Sequence, residues 1–220
     1  MSAALYAIYG ASGFGREVLP LARAQLEAAG IPRERLVFVD DNPTVAVANG
    51  HRVLTYREYV GMSTTERYVV IAIADSHIRE RLAERCSEDG VQLWSVTAAN
   101  VISMDEVRIG KGAILSPFVT LTTNIDIGSN FHGNIYSYVA HDCRIGNFVT
   151  FAPAVKCNGN VHIEDHAYIG TGAILKHGQP GKPLIIGAGA IVGMGAVVTR
   201  DVAAGTTVVG NPARPLTKTC

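Results

Sequence analysis

The sequence predicts a two-part fold, a small α/β domain followed by a parallel β-helix. Three observations carry that prediction: two apolar ladders advancing in steps of six, glycines recurring in phase with them, and alternating strand and helix patterns over the first ninety residues. The first ladder runs Val101, Val107, Ala113, Val119, Ile125, Phe131, Ser137, Cys143, Val149, Val155, Val161, Ala167, Ala173. The second runs two residues ahead, through Ile109, Leu115, Leu121, Ile127, Gly133, Val139, Ile145, Phe151, Cys157, Ile163, Ile169 and Leu175. Only Ser137 and Gly133 interrupt their apolar or sulfur character.

A period of six matches neither the 3.6-residue helix nor the two-residue alternation of a lone strand. Three hexads do make one triangular turn of a coil, each short strand stacking on its equivalent one turn later with the ladder residues inward. Glycine follows the ladder in Ile109-Gly110, Ile127-Gly128, Ile145-Gly146, Ile169-Gly170, Ile186-Gly187 and Val192-Gly193, which places the tight corners there. After Leu175 the ladder resumes at Ile186, Val192 and Val198, so residues 177–183 are expected to leave the coil.

In the first part, Leu5–Tyr9 reads as a buried strand and residues 10–15 as a glycine turn. Residues 16–29 read as a helix with Val18, Leu19, Ala22 and Leu26 along one side and Pro20 bending its start. Leu36–Val39 is a second strand, ending at Asp40-Asp41-Asn42. Residues 68–74 then read as a strand, 76–87 as a helix and 91–96 as a strand leading into the coil. Such alternation gives a parallel sheet with flanking helices, a Rossmann-like domain. The domains are accordingly set at residues 1–97 and 98–220.

The glycine turn, with Gly10, Ser12 and Gly13, offers backbone N–H groups at a helix N-terminus, where hydrogen bonds and the helix dipole both favour a phosphate. Its order is Gly-x-x-Gly-x-Gly, not the Gly-x-Gly-x-x-Gly of dinucleotide binders, which counts against NAD. The same glycines could serve strand-to-helix packing alone. Asp40 and Asp41 stand where a ribose or base would be met, and they are equally ordinary turn residues.

Composition narrows the classes. A hydrophobic content of 48% is ample for a core, and charge balances at 19 against 19, which argues against a nucleic-acid surface. No stretch of about 18 apolar residues could span a bilayer and no secretory leader opens the chain, so a cytoplasmic protein is expected. Cys86, Cys143, Cys157 and Cys220 show no paired spacing, and Cys143 and Cys157 fall on inward slots as small buried hydrophobes.

The slot two after the leading aliphatic residue should face outward near a corner, and there it holds mostly polar and turn-forming residues, His141 among them. An accessible imidazole followed by Asp142 can act as a base near neutral pH; a merely solvated histidine is the bland alternative. Asp142 either reaches the imidazole or caps the corner, since neighbours on a strand diverge. His162 and His166 occupy different slots of a six-residue coil, so no metal site is expected.

The repeated Ile-Gly pattern, the run from Ile191 to Val198 and the exit Val209-Gly210-Asn211-Pro212-Ala213 resemble the hexapeptide acyltransferases, whose coil is left-handed. With Gly10-Ala11-Ser12-Gly13 and Asp40-Asp41 ahead of it, the chain resembles the sialic-acid and bacillosamine branch of sugar acyltransferases, nearest to its GDP-perosamine N-acetyltransferases. The stretch Ala140-His141-Asp142-Cys143-Arg144-Ile145-Gly146 is similar to that family's catalytic stretch. The resemblance implies acetyl-CoA as cosubstrate and a nucleotide-linked amino sugar, acetylated at its C4 amine, as acceptor; O-acetylation is the alternative. It implies His141 as base, Asp142 beside it, a backbone N–H at Gly159 for the oxyanion, and Asn134 on the sugar. For CoA it implies Gly170, Gly172, Gly193 and Gly195, with Lys176 toward a phosphate, although corner glycines serve a coil in any case. It also implies a homotrimer with sites between subunits. The family can carry a second histidine within residues 148–151; this chain has Thr150. Three readings of other classes compete: an NAD-linked oxidoreductase, a nucleotide-binding sensor and a purely structural coil.

Overall fold

The structure is a computed structural model that describes residues 4–216. The described residues divide into two compact units: one reaching to Ala99 with Lys111–Ile114, the other holding Asn100–Gly110 and the chain from Leu115 onward.

In the first unit the order is β1 (Leu5–Tyr9), α1 (Gly13–Ala28), β2 (Leu36–Val39), β3 (Val47–Ala48), β4 (His51–Leu54), α2 (Tyr56–Gly61), β5 (Arg67–Ile71), α3 (Ser76–Glu88), β6 (Gln92–Leu93). These strands lie in the order β3-β4-β2-β1-β5-β6, parallel except for the β3–β4 hairpin. Central β1 is buried on both faces, as a parallel strand under helices must be. Ile8 on one face packs with Val18, Leu19, Ala22 and Leu26 of α1. Helix α1 starts inside the glycine turn, at Gly13, and runs past Pro20. The sequence reading missed β3, β4 and α2, although Thr55 and Glu58 make a reciprocal capping box that marks the start of α2. The strand expected over 91–96 splits: β6 joins the sheet, while the Val96 N–H donates to the Ala113 carbonyl at 2.9 Å.

The second unit is the coil, and it is left-handed. One sheet stacks Ile102–Ser103, Thr120–Leu121, Tyr138–Val139, Lys156–Cys157, Ile174–Leu175 and Val197–Val198; the next stacks Val107–Ile109, Ile125–Ile127, Arg144–Ile145, Val161–Ile163 and Leu184–Ile186. The third contains His132–Gly133, Thr150–Phe151, Tyr168–Ile169, Ile191–Val192 and Thr207–Val209, with Arg214–Pro215 closing it antiparallel. Partners sit eighteen residues apart, for example Val139 against Cys157 and Ile145 against Ile163, so three hexads make each turn.

From Val119 to Leu175 both ladders are buried, at about 1.5–3 kcal/mol for each large apolar side chain removed from water. The ladder interruptions are filled from within. A Cβ on Gly133 would come 3.0 Å from the Phe131 ring, which occupies that slot and packs edge-on against Phe151 at 5.2 Å. Ser137 donates to the Ala152 carbonyl and accepts from the Val155 N–H. Ile109 departs from the inward expectation and is 38% exposed, because it lies in the first turn and no turn covers it from below.

The corners differ from the sequence reading. Gly110, Gly128, Gly146 and Gly170 do not adopt positive φ; they are small because the next turn passes against them, a Cβ on Gly128 lying 2.7 Å from the Asn147 nitrogen. The left-handed corner residue is the one just before each first-ladder position from Val107 onward, including Asn124, Asn130, Asp142 and Asn160 and also bulky Phe118, Tyr136 and Phe148. Residues 177–183 do leave the coil, with Gln179 and Lys182 bridged across a turn at Pro180-Gly181.

Candidate active site

His141 stands on the corner between Tyr138–Val139 and Arg144–Ile145, clamped by backbone hydrogen bonds to both neighbouring turns. The Asp142 N–H donates to Thr123 of the turn before at 3.1 Å, and the His141 carbonyl accepts from Asn160 of the turn after at 2.9 Å. Asp142 is the left-handed residue of this corner, with φ of 58°. That conformation breaks the strand alternation which would send the two side chains apart. His141 Nδ1 and Asp142 Oδ2 meet at 2.7 Å. So Asp142 both turns the corner and reaches the imidazole.

A carboxylate only accepts, so Nδ1 carries the ring proton and the neutral ring keeps its lone pair on Nε2. The hydrogen bond from His141 holds the Asp142 carboxyl below its ordinary range, with help from Asn124. Asn124, eighteen residues earlier in the same column, donates its amide to the other carboxylate oxygen at 3.2 Å. The sequence reading passed over Asn124; its column position relative to Asp142 was the available signal. Both dyad side chains are about half exposed, at 55% and 47%.

Directly above His141 in the stack lies Gly159, as the pairing of Val139 with Cys157 requires. A Cβ at Gly159 would lie 2.5 Å from both Cε1 and Nε2 of the imidazole. Glycine is thus needed for the ring to lie across the next turn, a reason the sequence did not disclose. Its carbonyl accepts from the Gly178 N–H at 2.9 Å, while its own N–H has no partner among the described residues. The Cys143 thiol points inward and donates to the Asn158 carbonyl at 3.2 Å, so it is not presented as a nucleophile. Cys157 is buried also, and Cys220 lies outside the described residues. Asp142 borders a cleft of about 690 Å³ whose walls include Arg144, His162 and the Pro180 turn.

The other candidates sit elsewhere. Asn134 follows His132–Gly133 on a different corner, with its amide donated to the Phe151 carbonyl at 2.7 Å. Gly170 and Gly193 continue that column through the pairing of Ile169 with Val192, and Gly172 and Gly195 lie two residues farther along. Each has a reason within the coil: Gly170 and Gly193 face close approach, and Gly172 and Gly195 have φ of 69° and 66°. Lys176 falls on the His141 corner.

In the first unit the glycine turn leaves β1 at the carboxyl edge of the sheet. Gly10 has φ of 104°, and a Cβ on Gly15 would collide with the Gly10 carbonyl. Gly13 has neither constraint: its φ is not positive, and a Cβ there would meet nothing within 4 Å. Ser12, at the N-cap, makes no side-chain cap, and the Ser12 and Gly13 N–H groups have no partner among the described residues. Asp40 ties the turn down, accepting from the Ala11 and Asn42 N–H groups at 3.1 and 3.0 Å. Asp41 accepts from the Tyr9 hydroxyl at 2.7 Å and pairs with Arg85 at 3.3 Å. Both carboxylates therefore have partners within the protein.

Comparison with known proteins places this geometry. Residues 6–86 match the family model described as the PglD N-terminal domain. Over 212 residues, 96% of either chain, the sequence is 50% identical to a GDP-perosamine N-acetyltransferase of Escherichia coli O157:H7. The chain belongs to the hexapeptide-repeat sugar acetyltransferases. Among solved structures of this family, WeeI from Acinetobacter baumannii AYE is 56% identical, with a TM-score of 0.94 over 97% of this chain and 100% of its own. The acetyltransferase domain of PglB from Neisseria gonorrhoeae FA1090, solved with acetyl coenzyme A, is 28% identical with a TM-score of 0.84, over 98% and 100% of the two chains. The enzyme class is thus acetyltransferase, and the oxidoreductase, sensor and scaffold readings fall away.

Proposed function

We propose that this acetyltransferase moves the acetyl group of acetyl-CoA onto the C4 amine of a nucleotide-linked amino sugar, with GDP-perosamine as acceptor. The observation that carries the reading is the His141–Asp142 hydrogen bond through Nδ1, which leaves Nε2 lying over a glycine whose N–H has no partner among the described residues. The substrate assignment draws on the 50% identical relative of that name, and the cosubstrate on the PglB domain solved with it.

In this scheme the amine nitrogen attacks the thioester carbonyl in a ternary complex. Nε2 takes the proton that the nitrogen loses, and the Gly159 N–H faces the oxyanion. When the C–S bond breaks, the imidazolium returns that proton to the leaving thiolate. No acyl-enzyme is required, in keeping with the buried thiols.

The glycine turn takes the nucleotide phosphates: the missing side chain at Gly13 is unexplained by packing and leaves room for close approach. Asp40 and Asp41 border that turn and have lone pairs remaining for ribose or base. Asn134 and the glycine set occupy a different corner from His141, so a site that uses both corners draws them from adjacent copies. A homotrimer with active sites between subunits satisfies this. Among the described residues no helix is long and apolar enough to cross a membrane, and we place the reaction in the cytoplasm, with its acetyl-CoA supply.

The test is a panel of GDP-, UDP- and dTDP-linked 4-amino sugars, each with its 4-hydroxy counterpart, assayed for thiol release from acetyl-CoA. Release with the GDP-linked amine and not with the alcohol is expected. Faster turnover of the alcohol would establish O-acetylation, and release with none would overturn the reading.

A further inference from the structure

We propose that Cys143 is a positioning residue: its buried thiol fixes the Asn158–Gly159 peptide so that the Gly159 N–H faces the reacting carbonyl. The proposal rests on the acetyl-transfer scheme above, which gives that N–H to the oxyanion. The backbone on either side of this peptide is held by other turns. The Asn158 N–H donates to the Leu175 carbonyl at 3.4 Å, the Gly159 carbonyl accepts from Gly178 at 2.9 Å, and the Asn160 N–H donates to the His141 carbonyl at 2.9 Å. The Asn158 side chain is pinned as well, with Oδ1 accepting from the Tyr138 hydroxyl at 2.9 Å and Nδ2 donating to the Leu175 carbonyl at 2.7 Å. The peptide between, from the Asn158 carbonyl to the Gly159 N–H, has no backbone partner among the described residues. Its hydrogen bonds are to sulfur. The Cys143 thiol donates to the Asn158 carbonyl at 3.2 Å, and the Cys157 thiol reaches the same oxygen at 3.8 Å.

Both sulfurs belong to side chains inside the prism, at 1% and 0% exposure, so this carbonyl is directed inward. The C=O and N–H of a planar trans peptide point opposite ways, which directs the Gly159 N–H outward, on the corner where the His141 ring lies. Glycine puts no side chain in the way of rotating this plane, so the inward hydrogen bond selects its orientation. A hydrocarbon at position 143 would leave the inward carbonyl without that donor, and turning the peptide over to give the carbonyl to solvent would carry the N–H inward. The coil uses the same bond once more. Ser137 is the other residue of the first ladder that is not a hydrocarbon, and it donates to the Ala152 carbonyl fifteen residues on, as Cys143 does to Asn158. There the next residue is Pro153, which has no N–H to present. Only at Gly159 does the inward bond leave an outward donor.

The experiment follows thiol release from acetyl-CoA, with the best acceptor of the sugar-nucleotide panel, for the wild type, Cys143→Val, Cys143→Ser and Ser137→Ala. Valine already fills this column one turn later, at Val161, so Cys143→Val should fold. Its kcat should fall on the order of 10-fold with smaller changes in either KM, because the N–H is called on when charge develops in the transition state. Cys143→Ser, which keeps a donor in the slot, should recover most of that kcat. Ser137→Ala removes the matching bond at a peptide with no N–H to aim, and should lower Tm without lowering kcat. The kcat–pH profile of Cys143→Val should keep the apparent pKa of the wild type. Full kcat for Cys143→Val, a loss that serine does not recover, or an equal loss in Ser137→Ala overturns the proposal. A moved apparent pKa also overturns it, assigning the effect to His141, whose carbonyl lies 3.6 Å from the Cys143 sulfur, and leaves the acetyl-transfer reading standing. Should Cys143→Val fail to fold, Cys143→Ala takes its place with the same expectations. Absence of thiol release by the wild type with every acceptor would overturn the acetyl-transfer reading and this proposal with it.

Discussion

At the scale of single residues the proposed mechanism turns on three neighbours: His141, Asp142 and Gly159. Replacing His141 with Asn keeps the size and a polar atom but removes the base; kcat should fall on the order of 10²-fold or more, with smaller changes in KM. An amine that arrives already neutral lessens the demand on a base, so near-full kcat for the variant between pH 6 and 9 would reject His141 as the required proton acceptor. Gly159→Ala tests a different property. Its methyl would press on Cε1 and Nε2 of His141 at 2.5 Å, well inside van der Waals contact. The ring must move, and kcat should fall roughly 10-fold or more while thermal stability changes little. Unchanged kcat would mean that the imidazole has another working position. His141 was legible in the sequence as an outward polar slot followed by a carboxylate. The reach of Asp142 was not, because strand alternation argues that adjacent side chains diverge and only the φ of 58° at the corner reverses it. Nor was the reason for Gly159, which emerges only when turns are stacked eighteen residues apart.

At the scale of elements, the coil was readable because its period recurs through the whole second unit, whereas β3 and α2 are too short to show any period and β4, unlike the equally short but wholly apolar β2, opens on His51-Arg52. The glycine turn offers a test independent of the coil. Gly13→Val places a branched side chain where nothing of the protein stands, so folding should tolerate it at the cost of a poor helix start. The KM for the nucleotide sugar should rise about 10-fold or more while the KM for acetyl-CoA holds; an equal rise in both would point to a general loss of structure. The sheet holding Arg108, Asp126, Arg144 and His162 makes a second, pH-dependent prediction. Burial, and then the Arg144 charge, hold the His162 imidazole below its ordinary value of 6.5. The unfolded chain therefore takes up that proton first as pH falls. Stability attributable to His162 is present above about pH 6.5 and is lost progressively below it, until the folded imidazole also protonates. In Tm measurements from pH 7.5 to 5.5, His162→Gln should lose less than the wild type. Equal slopes would remove His162 as a contributor.

At the scale of the whole molecule, the residues expected to work together fall on two corners of one coil. His141 and Gly159 share one corner with Lys176, while Asn134 shares the other with Gly170 and Gly193. A sequence ladder gives a residue's slot but not which corners meet, since that depends on how copies associate. If the active site joins the dyad corner of one copy to the glycine corner of the next, two inactive variants must complement each other. His141→Asn disables the first corner, and Gly195→Arg, with its side chain projecting from a corner that has nothing within 4 Å, obstructs the second. When both chains are co-expressed in equal amounts, about one site in four should pair an intact dyad corner with an intact glycine corner, under random closed-ring assembly. Activity should return to roughly a quarter of wild type from two near-inactive parents, and sedimentation should give three chains per particle. A site contained within one chain predicts no recovery at any mixing ratio. An active monomer at all concentrations would sink the trimer outright.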